Sequence, residues 1–256
     1  MTAPDHRSPH SALPRSDRAR HPARGLLHSL RPLARGVLRG RYAVRVHGSE
    51  HVPTRGPVIF ASNHVGALDG PLLAVFAPRP VHTLTKHEMF HGRLGPVLRA
   101  AGQIPLDRFH SDPGAVKTAL RVLRDGGALG IFPEGRRGDG ELGRFHRGAA
   151  YFALVSGAPV VPVVMLGTRE PGGHLESLPR PGGAVDVVFG APFRCEARRW
   201  PRTKEQVEHL SMLIREHMLV HLDLARALTG QELPGPLPAD EVEPDPATGV
   251  TEQGAT

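Results

Sequence analysis

In the run Asn63-His64-Val65-Gly66-Ala67-Leu68-Asp69, an imidazole stands five residues ahead of a carboxylate. A hydroxyl that attacks a carbonyl must lose its proton as it attacks. Histidine suits that task because it titrates near neutrality. A carboxylate on the other ring nitrogen selects the tautomer and stabilises the imidazolium that forms. Across a turn into a helix, His64 and Asp69 can meet. The pair alone is a weak signal: with 16 His in the chain and Asp at an ordinary ~5%, roughly one such spacing arises by chance. A loop histidine followed by a helix-capping aspartate is the plainer alternative.

Three further segments carry side chains of interest. Gly102-Gln103-Ile104-Pro105-Leu106-Asp107-Arg108 ends in an arginine after a strand-like stretch. Such a guanidinium can fork onto a phosphate, or it can pair with Asp107 in solvent. Phe132-Pro133-Glu134-Gly135-Arg136-Arg137-Gly138 follows a buried strand with a carboxylate and two guanidiniums. Its glycines let backbone approach a ligand closely. Arg137 could hold a phosphate there, and Glu134 an acceptor hydroxyl or an arginine. A surface turn with a local ion pair is the competing reading. Val160-Val161-Pro162-Val163, running on to Gly167-Thr168, is by itself a core strand.

The elements that must position these residues alternate. Leu26, Leu27, Leu30, Leu33, Ala34, Val37 and Leu38 recur at helical spacing with Arg24, Arg31, Arg35 and Arg39 between them. Pro32 inside that pattern predicts two short helices or a kinked one. Strands are expected at 42–47, 58–62, 82–85, 128–132, 160–166 and 185–189. Helices are expected at 72–76, 93–101, 114–124, 147–156 and 203–228. This order predicts an α/β fold, a mostly parallel central sheet flanked by helices and preceded by an amphipathic helical segment. In such sheets chemistry gathers at the carboxyl ends of strands. The turns after Ser62 and Phe132 sit there.

Taken together and in this order, the four segments resemble the glycerolipid acyltransferase family, whose central member is 1-acylglycerol-3-phosphate acyltransferase. The pattern N-H-x-x-x-x-D falls on Asn63, His64 and Asp69. G-x-I-x-x-x-R falls on Gly102, Ile104 and Arg108. F-P-E-G with a following Arg falls on Phe132 to Gly135 and Arg137, and V-P-V on Val161 to Val163. Lys86 to Phe90 and Phe145 to Gly148 match more loosely. The resemblance spans roughly residues 40–195. It implies acyl-CoA or acyl-carrier protein as donor and a lysophospholipid as acceptor. It implies His64 as general base, oriented by Asp69, and Asn63, Arg108, Glu134, Gly135, Arg136 and Arg137 as substrate-binding residues. No cofactor, metal or acyl-enzyme is implied. The chain departs from the pattern at Gly66, where Ser is common, at Arg136, usually Thr, and at Gly138, usually Ser. The extra cation at Arg136 suggests a more anionic or bulkier head group.

Composition bounds the rest. Residues 1–49 hold ten Arg against two Asp, whereas 231–256 hold six acids and neither Lys nor Arg. The reading that follows is a disordered basic stretch over 1–20 and amphipathic helices over 21–41 for an anionic membrane surface. An acyltransferase domain fills 42–230, and 231–256 is a disordered acidic tail. One cysteine, Cys195, excludes an internal disulfide framework and a thiolate metal cluster. No apolar run approaches the ~20 residues that span a bilayer, and no secretory leader is recognisable. The expectation is a cytoplasmic protein, peripheral at the inner face of the cell membrane. Aromatics make up 5% of the chain, too few for base-stacking platforms, so nucleic acid is not an expected partner. Trp200 and Cys195 are assigned no role.

Overall fold

Short runs of Val, Ile and Ala can bury both of their faces only in the middle of a covered sheet, and that is where they lie. The computed structural model describes residues 16–198, 201–241 and 249–251. Two short helices, α1 (Gly25–Ser29) and α2 (Arg31–Arg41), come first. Then follow β1 (Ala43–His47), β2 (Val58–Ser62), α3 (Asp69–Phe76), β3 (Val81–Lys86), α4 (Gly95–Ala100) and β4 (Ile104–Leu106). The chain continues through α5 (Pro113–Arg124), β5 (Ala128–Ile131), β6 (Arg144–His146), α6 (Gly148–Ser156), β7 (Val160–Leu166), β8 (Ala184–Phe189), α7 (Lys204–Thr229) and β9 (Gly249–Thr251).

Seven strands form one sheet in the order β1-β8-β7-β2-β5-β3-β4. Every pairing in it is parallel except β7 with β8. This is the expected α/β architecture. Strand alternation feeds two cores. Ile59, Ala61, Leu129 and Ile131 face α5, α6 and α7, meeting Leu123, Phe152 and Ile214. Val58, Phe60, Val161 and Val163 face the other way, onto Leu72, Leu73 and Phe76 of α3.

The helix ends follow from local chemistry. Asp112 caps α5 by accepting the Ala115 N–H, with Pro113 in the first turn. Thr203 and Gln206 close a capping box on α7. Gly157 and Gly230 end α6 and α7 in left-handed conformation, at φ 68° and 67°.

The amphipathic segment is two helices that meet at Leu30, just ahead of Pro32. Its arginines do not all face water. Arg31 donates to Val75 and Ala77 carbonyls, and Arg35 Nε donates to the Val75 carbonyl at 2.9 Å. These carbonyls end α3, where helical backbone lacks intrahelical donors. Burial, with Arg35 beside it, pulls Arg31 down to about 10. With Arg31 and Arg35 turned inward, α2 leaves Leu33 and Val37 66% and 64% exposed.

Three expectations change. The antiparallel pair β6 with β9 was not foreseen. The acidic tail, expected to be disordered from residue 231, is packed over 231–241. Gln231 donates to the buried carboxylate of Asp186. Leu233 packs against Leu222 and Ala225. Glu241 accepts the Leu175 N–H at 2.6 Å and pairs with His174 at 2.6 Å. The segment has little apolar surface; what holds it is backbone and carboxylate groups that complete neighbouring loops. Of the stretch expected to be disordered at the front, residues 16–20 are placed, with Arg121 donating to the Asp17 carbonyl. Residues 1–15, 242–248 and 252–256, and Trp200, lie outside the described residues.

Candidate active site

Strands β2 and β5 are direct neighbours, with Ala61 paired to Ile131. The turns that follow them therefore leave the sheet side by side. Asn63 starts the first turn fully buried: its Nδ2 donates to the Met165 carbonyl at 3.1 Å, and its Oδ1 accepts the Met165 N–H at 2.7 Å. Asn63 thus extends the pairing to β7 by side chain, and its expected contact with substrate is corrected to an anchoring one.

His64 follows. Its Nδ1 lies 2.8 Å from Asp69 Oδ2, and that oxygen also accepts the N–H of Val65 at 2.7 Å and of Gly66 at 2.9 Å. Asp69, wholly buried in the first turn of α3, closes the turn and orients the ring together. With Nδ1 donating to the carboxylate, the lone pair sits on Nε2. The ring stacks on Phe132 at 4.2 Å and 25° and reaches the cavity with its side chain 21% exposed.

The second turn is bound to the first. Glu134 Oε1 accepts the His64 N–H at 2.8 Å, and the Gly138 N–H donates to the His64 carbonyl at 2.9 Å. Glu134 is buried and does not line the cavity. Its expected role at the substrate is corrected to that of a bracket between turns. Burial pushes its carboxyl well above the usual range, with Asp139 and Asp69 adding to that and the His64 N–H and Arg136 opposing it. Gly135 has φ +71°, and a Cβ there would come within 2.6 Å of the His146 imidazole. Its carbonyl accepts Arg108 Nη1 at 2.7 Å. Asp107 bonds the His110 ring at 2.9 Å. Arg137, 7% exposed, donates to the Leu175 carbonyl at 2.9 Å and to Glu176 at 2.7 Å.

His64, Arg108, Gly135, Arg136 and Arg137 all line a single cavity of about 960 Å³. Asn63, Asp69 and Glu134 stand behind it. The same cavity runs onto apolar walls from α1 and α4, including Leu26, Leu27, Leu30, Val97 and Leu98. Among the described residues, no group of His, Cys, Asp and Glu could hold a metal ion.

The Acyltransferase family model matches residues 43–166. A 1-acyl-sn-glycerol-3-phosphate acyltransferase of Bacillus subtilis is 30% identical over 159 residues, which cover 61% of this chain and 77% of that protein. The chain belongs to the glycerolipid acyltransferase family of O-acyltransferases. Enzymes of the same name from Borreliella burgdorferi and Limnanthes alba are 35% and 36% identical over 49% of this chain. The matches cover 52% and 46% of those two proteins, about half of their length. The fold is that of the 1-acyl-sn-glycerophosphate (LPA) acyltransferase PlsC crystal structure from Thermotoga maritima, at a TM-score of 0.60, 21% identity, and coverage of 79% of this chain and 80% of that one.

Of the departures from the family pattern, the one at Gly66 has a local explanation and the one at Gly138 has none. A Cβ on Gly66 would lie 2.5 Å from the Thr168 carbonyl oxygen, so Ser could not enter without moving backbone. At Gly138 a Cβ would sit an ordinary 3.7 Å from Glu134 Oε2, and the site admits Ser. Arg136 is half-buried and lines the cavity.

Sequence reasoning missed Arg169. Its guanidinium is 2% exposed, and burial lowers its proton affinity against the carboxylates of Asp139, Asp69 and Glu241. It follows the carboxyl end of β7, next in the sheet to β2. Strand-end reasoning could have singled it out there, but β7 read as a core strand alone. The stacking of Phe132 on His64 had no sequence signal beyond its motif position.

Glu134 makes pH-dependence testable. A carboxyl raised above its ordinary 4.5 keeps a proton that the unfolded chain releases. Stability therefore falls as pH rises above about 4.5 toward the raised value, by at most about 1.4 kcal/mol per pH unit. Glu134→Gln keeps an acceptor for the His64 N–H and cannot titrate. Urea midpoints measured between about pH 5 and about pH 8 should decline less in the variant than in the wild type. Equal declines would show that Glu134 holds no such proton.

Proposed function

We propose that this enzyme moves a fatty acyl group from acyl-CoA or acyl-carrier protein to the free hydroxyl of 1-acylglycerol-3-phosphate, giving phosphatidic acid, with His64 as general base. The observation that carries the reading is the cavity itself. One space joins an imidazole with a free Nε2, three guanidiniums and an apolar wall. A phosphate with a hydroxyl and a hydrocarbon chain has those three needs.

In this mechanism the acceptor hydroxyl gives its proton to His64 Nε2 as its oxygen attacks the thioester carbonyl carbon. The C–O bond forms and the tetrahedral intermediate collapses. The C–S bond breaks, and the imidazolium returns the proton to the leaving thiolate. Asp69 stabilises the imidazolium in between. Arg108, Arg136 and Arg137 bind the acceptor phosphate. Glu176, with a side chain 75% exposed, is a weak partner for Arg137, and a phosphate can displace it. No metal or prosthetic group enters the reaction so written.

The setting we propose is peripheral, at the inner face of the cell membrane. No helix among the described residues is long and apolar enough to cross a bilayer. Leu33 and Val37 of α2, Leu94 just ahead of α4 and Val97 within it are 54–66% exposed, and the latter two line the cavity. An acceptor held in a bilayer could enter there.

Thiol release from oleoyl-CoA should depend on added lysophosphatidic acid and fall by at least about a hundredfold in His64→Ala. A folded variant of undiminished rate would remove His64 from the reaction and leave a lipid-binding role open. Arg136 favours a second acceptor, a lysophospholipid with a more anionic or bulkier head group. If so, Arg136→Thr shifts relative kcat/KM toward lysophosphatidic acid across a panel of lysolipids; an unchanged profile speaks for the first acceptor. Replacing Leu33 and Val37 by Asp should abolish co-sedimentation with anionic phospholipid vesicles; retained binding would sink the membrane role of α2.

A further inference from the structure

Arg169 uses four of its N–H donors on four carbonyls from four separate segments. Nε donates to Val65 at 2.9 Å, Nη1 to Gly173 at 3.0 Å, and Nη2 to Gly138 at 2.9 Å and Gly235 at 2.6 Å. Val65 adjoins His64 and shares its Asp69 partner. Gly138 adjoins Arg137. Gly173 belongs to the loop whose Leu175 and Glu176 accept from Arg137. Gly235 lies in the C-terminal segment, whose Glu241 holds the Leu175 N–H. Converging carbonyl oxygens repel one another, and here they do so out of water. Only a planar, permanently charged fork satisfies all of them at once; a lysine ammonium has three donors at a single point.

We propose that Arg169 is a positioning residue for acyl transfer, which holds the turn bearing His64 in register with the turn bearing Arg136 and Arg137. It touches neither acyl donor nor acceptor and does not line the cavity. Its part is to turn phosphate binding into alignment of the acceptor hydroxyl on His64 Nε2. The inference rests on the acceptor proposed above. It goes further by assigning to a buried residue just past the end of a third strand the coupling between base and phosphate site. The carboxylates of Asp139, Asp69 and Glu241 balance its charge from nearby, but Arg169 spends its hydrogen bonds on backbone that flanks the two functional turns.

The test compares two acceptors in the full-length protein, 1-oleoylglycerol-3-phosphate and 1-oleoylglycerol, with oleoyl-CoA as donor. In Arg169→Met the rate advantage of the phosphorylated acceptor should shrink by at least about tenfold, a loss of the size misalignment produces. Arg169→Lys, which keeps the charge but not the fork, should restore part of that advantage, and it carries the same comparison if the Met variant does not fold. A purely structural role would slow both acceptors in proportion and leave their ratio unchanged, which would overturn the proposal. Amide hydrogen exchange gives a second reading that needs no activity. Segments 63–69 and 134–140 should lose protection together in the variants while α5 and α6 keep theirs; unaltered exchange in the two turns would also overturn the proposal. If wild-type enzyme showed no preference for the phosphorylated acceptor, the acceptor assignment would fall, and exchange alone would decide the role of Arg169.

Discussion

Two turns leave neighbouring parallel strands and meet where water is excluded, so each backbone polar group in them must find a partner inside the protein. Most of the site follows from that constraint. The His64 N–H is satisfied by Glu134 and the His64 carbonyl by Gly138. The N–H groups of Val65 and Gly66 are satisfied by Asp69, through the same oxygen that holds the imidazole. The Val65 and Gly138 carbonyls are satisfied by Arg169. His64, Asp69 and the arginines at the cavity are held in place because the turns carrying them are bonded to one another.

This arrangement divides labour by burial. The fully buried polar groups, Asn63, Asp69, Glu134 and Arg169, bond to backbone. The groups that reach the cavity are His64, Arg108, Arg136 and Arg137. Glu134 stands behind His64, where burial disfavours its charge. Arg137 is held by a carbonyl and an exposed carboxylate, a restraint a dianion can outcompete.

The segments at the two ends of the described chain both serve this centre. Arg31 and Arg35 turn into the carbonyls that close α3, the helix that begins with Asp69. That anchoring puts Leu26, Leu27 and Leu30 along the cavity and leaves Leu33 and Val37 outward. From the other end, Gly235 and Glu241 complete loops that hold Arg169 and Arg137 in place. An acidic, proline-rich composition reads as disorder because it offers little to bury. Here the partners are loops with unmet donors and acceptors, which composition does not register.

Strand and helix order was legible in the sequence because apolar periodicity and Gly or capping residues are local signals, and they placed the sheet and the turns after β2 and β5. The pairing of His64 with Asp69 was legible too, since five residues across one turn bring them together whatever the rest of the chain does. The sequence also identified Arg108, Arg136 and Arg137 as a group by motif. It could not separate residues that face the cavity from those behind it, and so Asn63 and Glu134 were read as substrate ligands. That distinction depends on strand order: β7 must lie against β2 for Asn63 to find Met165, and β5 on its other side for Glu134 to find His64. Arg169 lies 104 positions from Val65 and 66 from Gly235. Only the tertiary structure could join them, because a buried guanidinium is defined by the carbonyls that surround it, and those come from segments that share no local pattern.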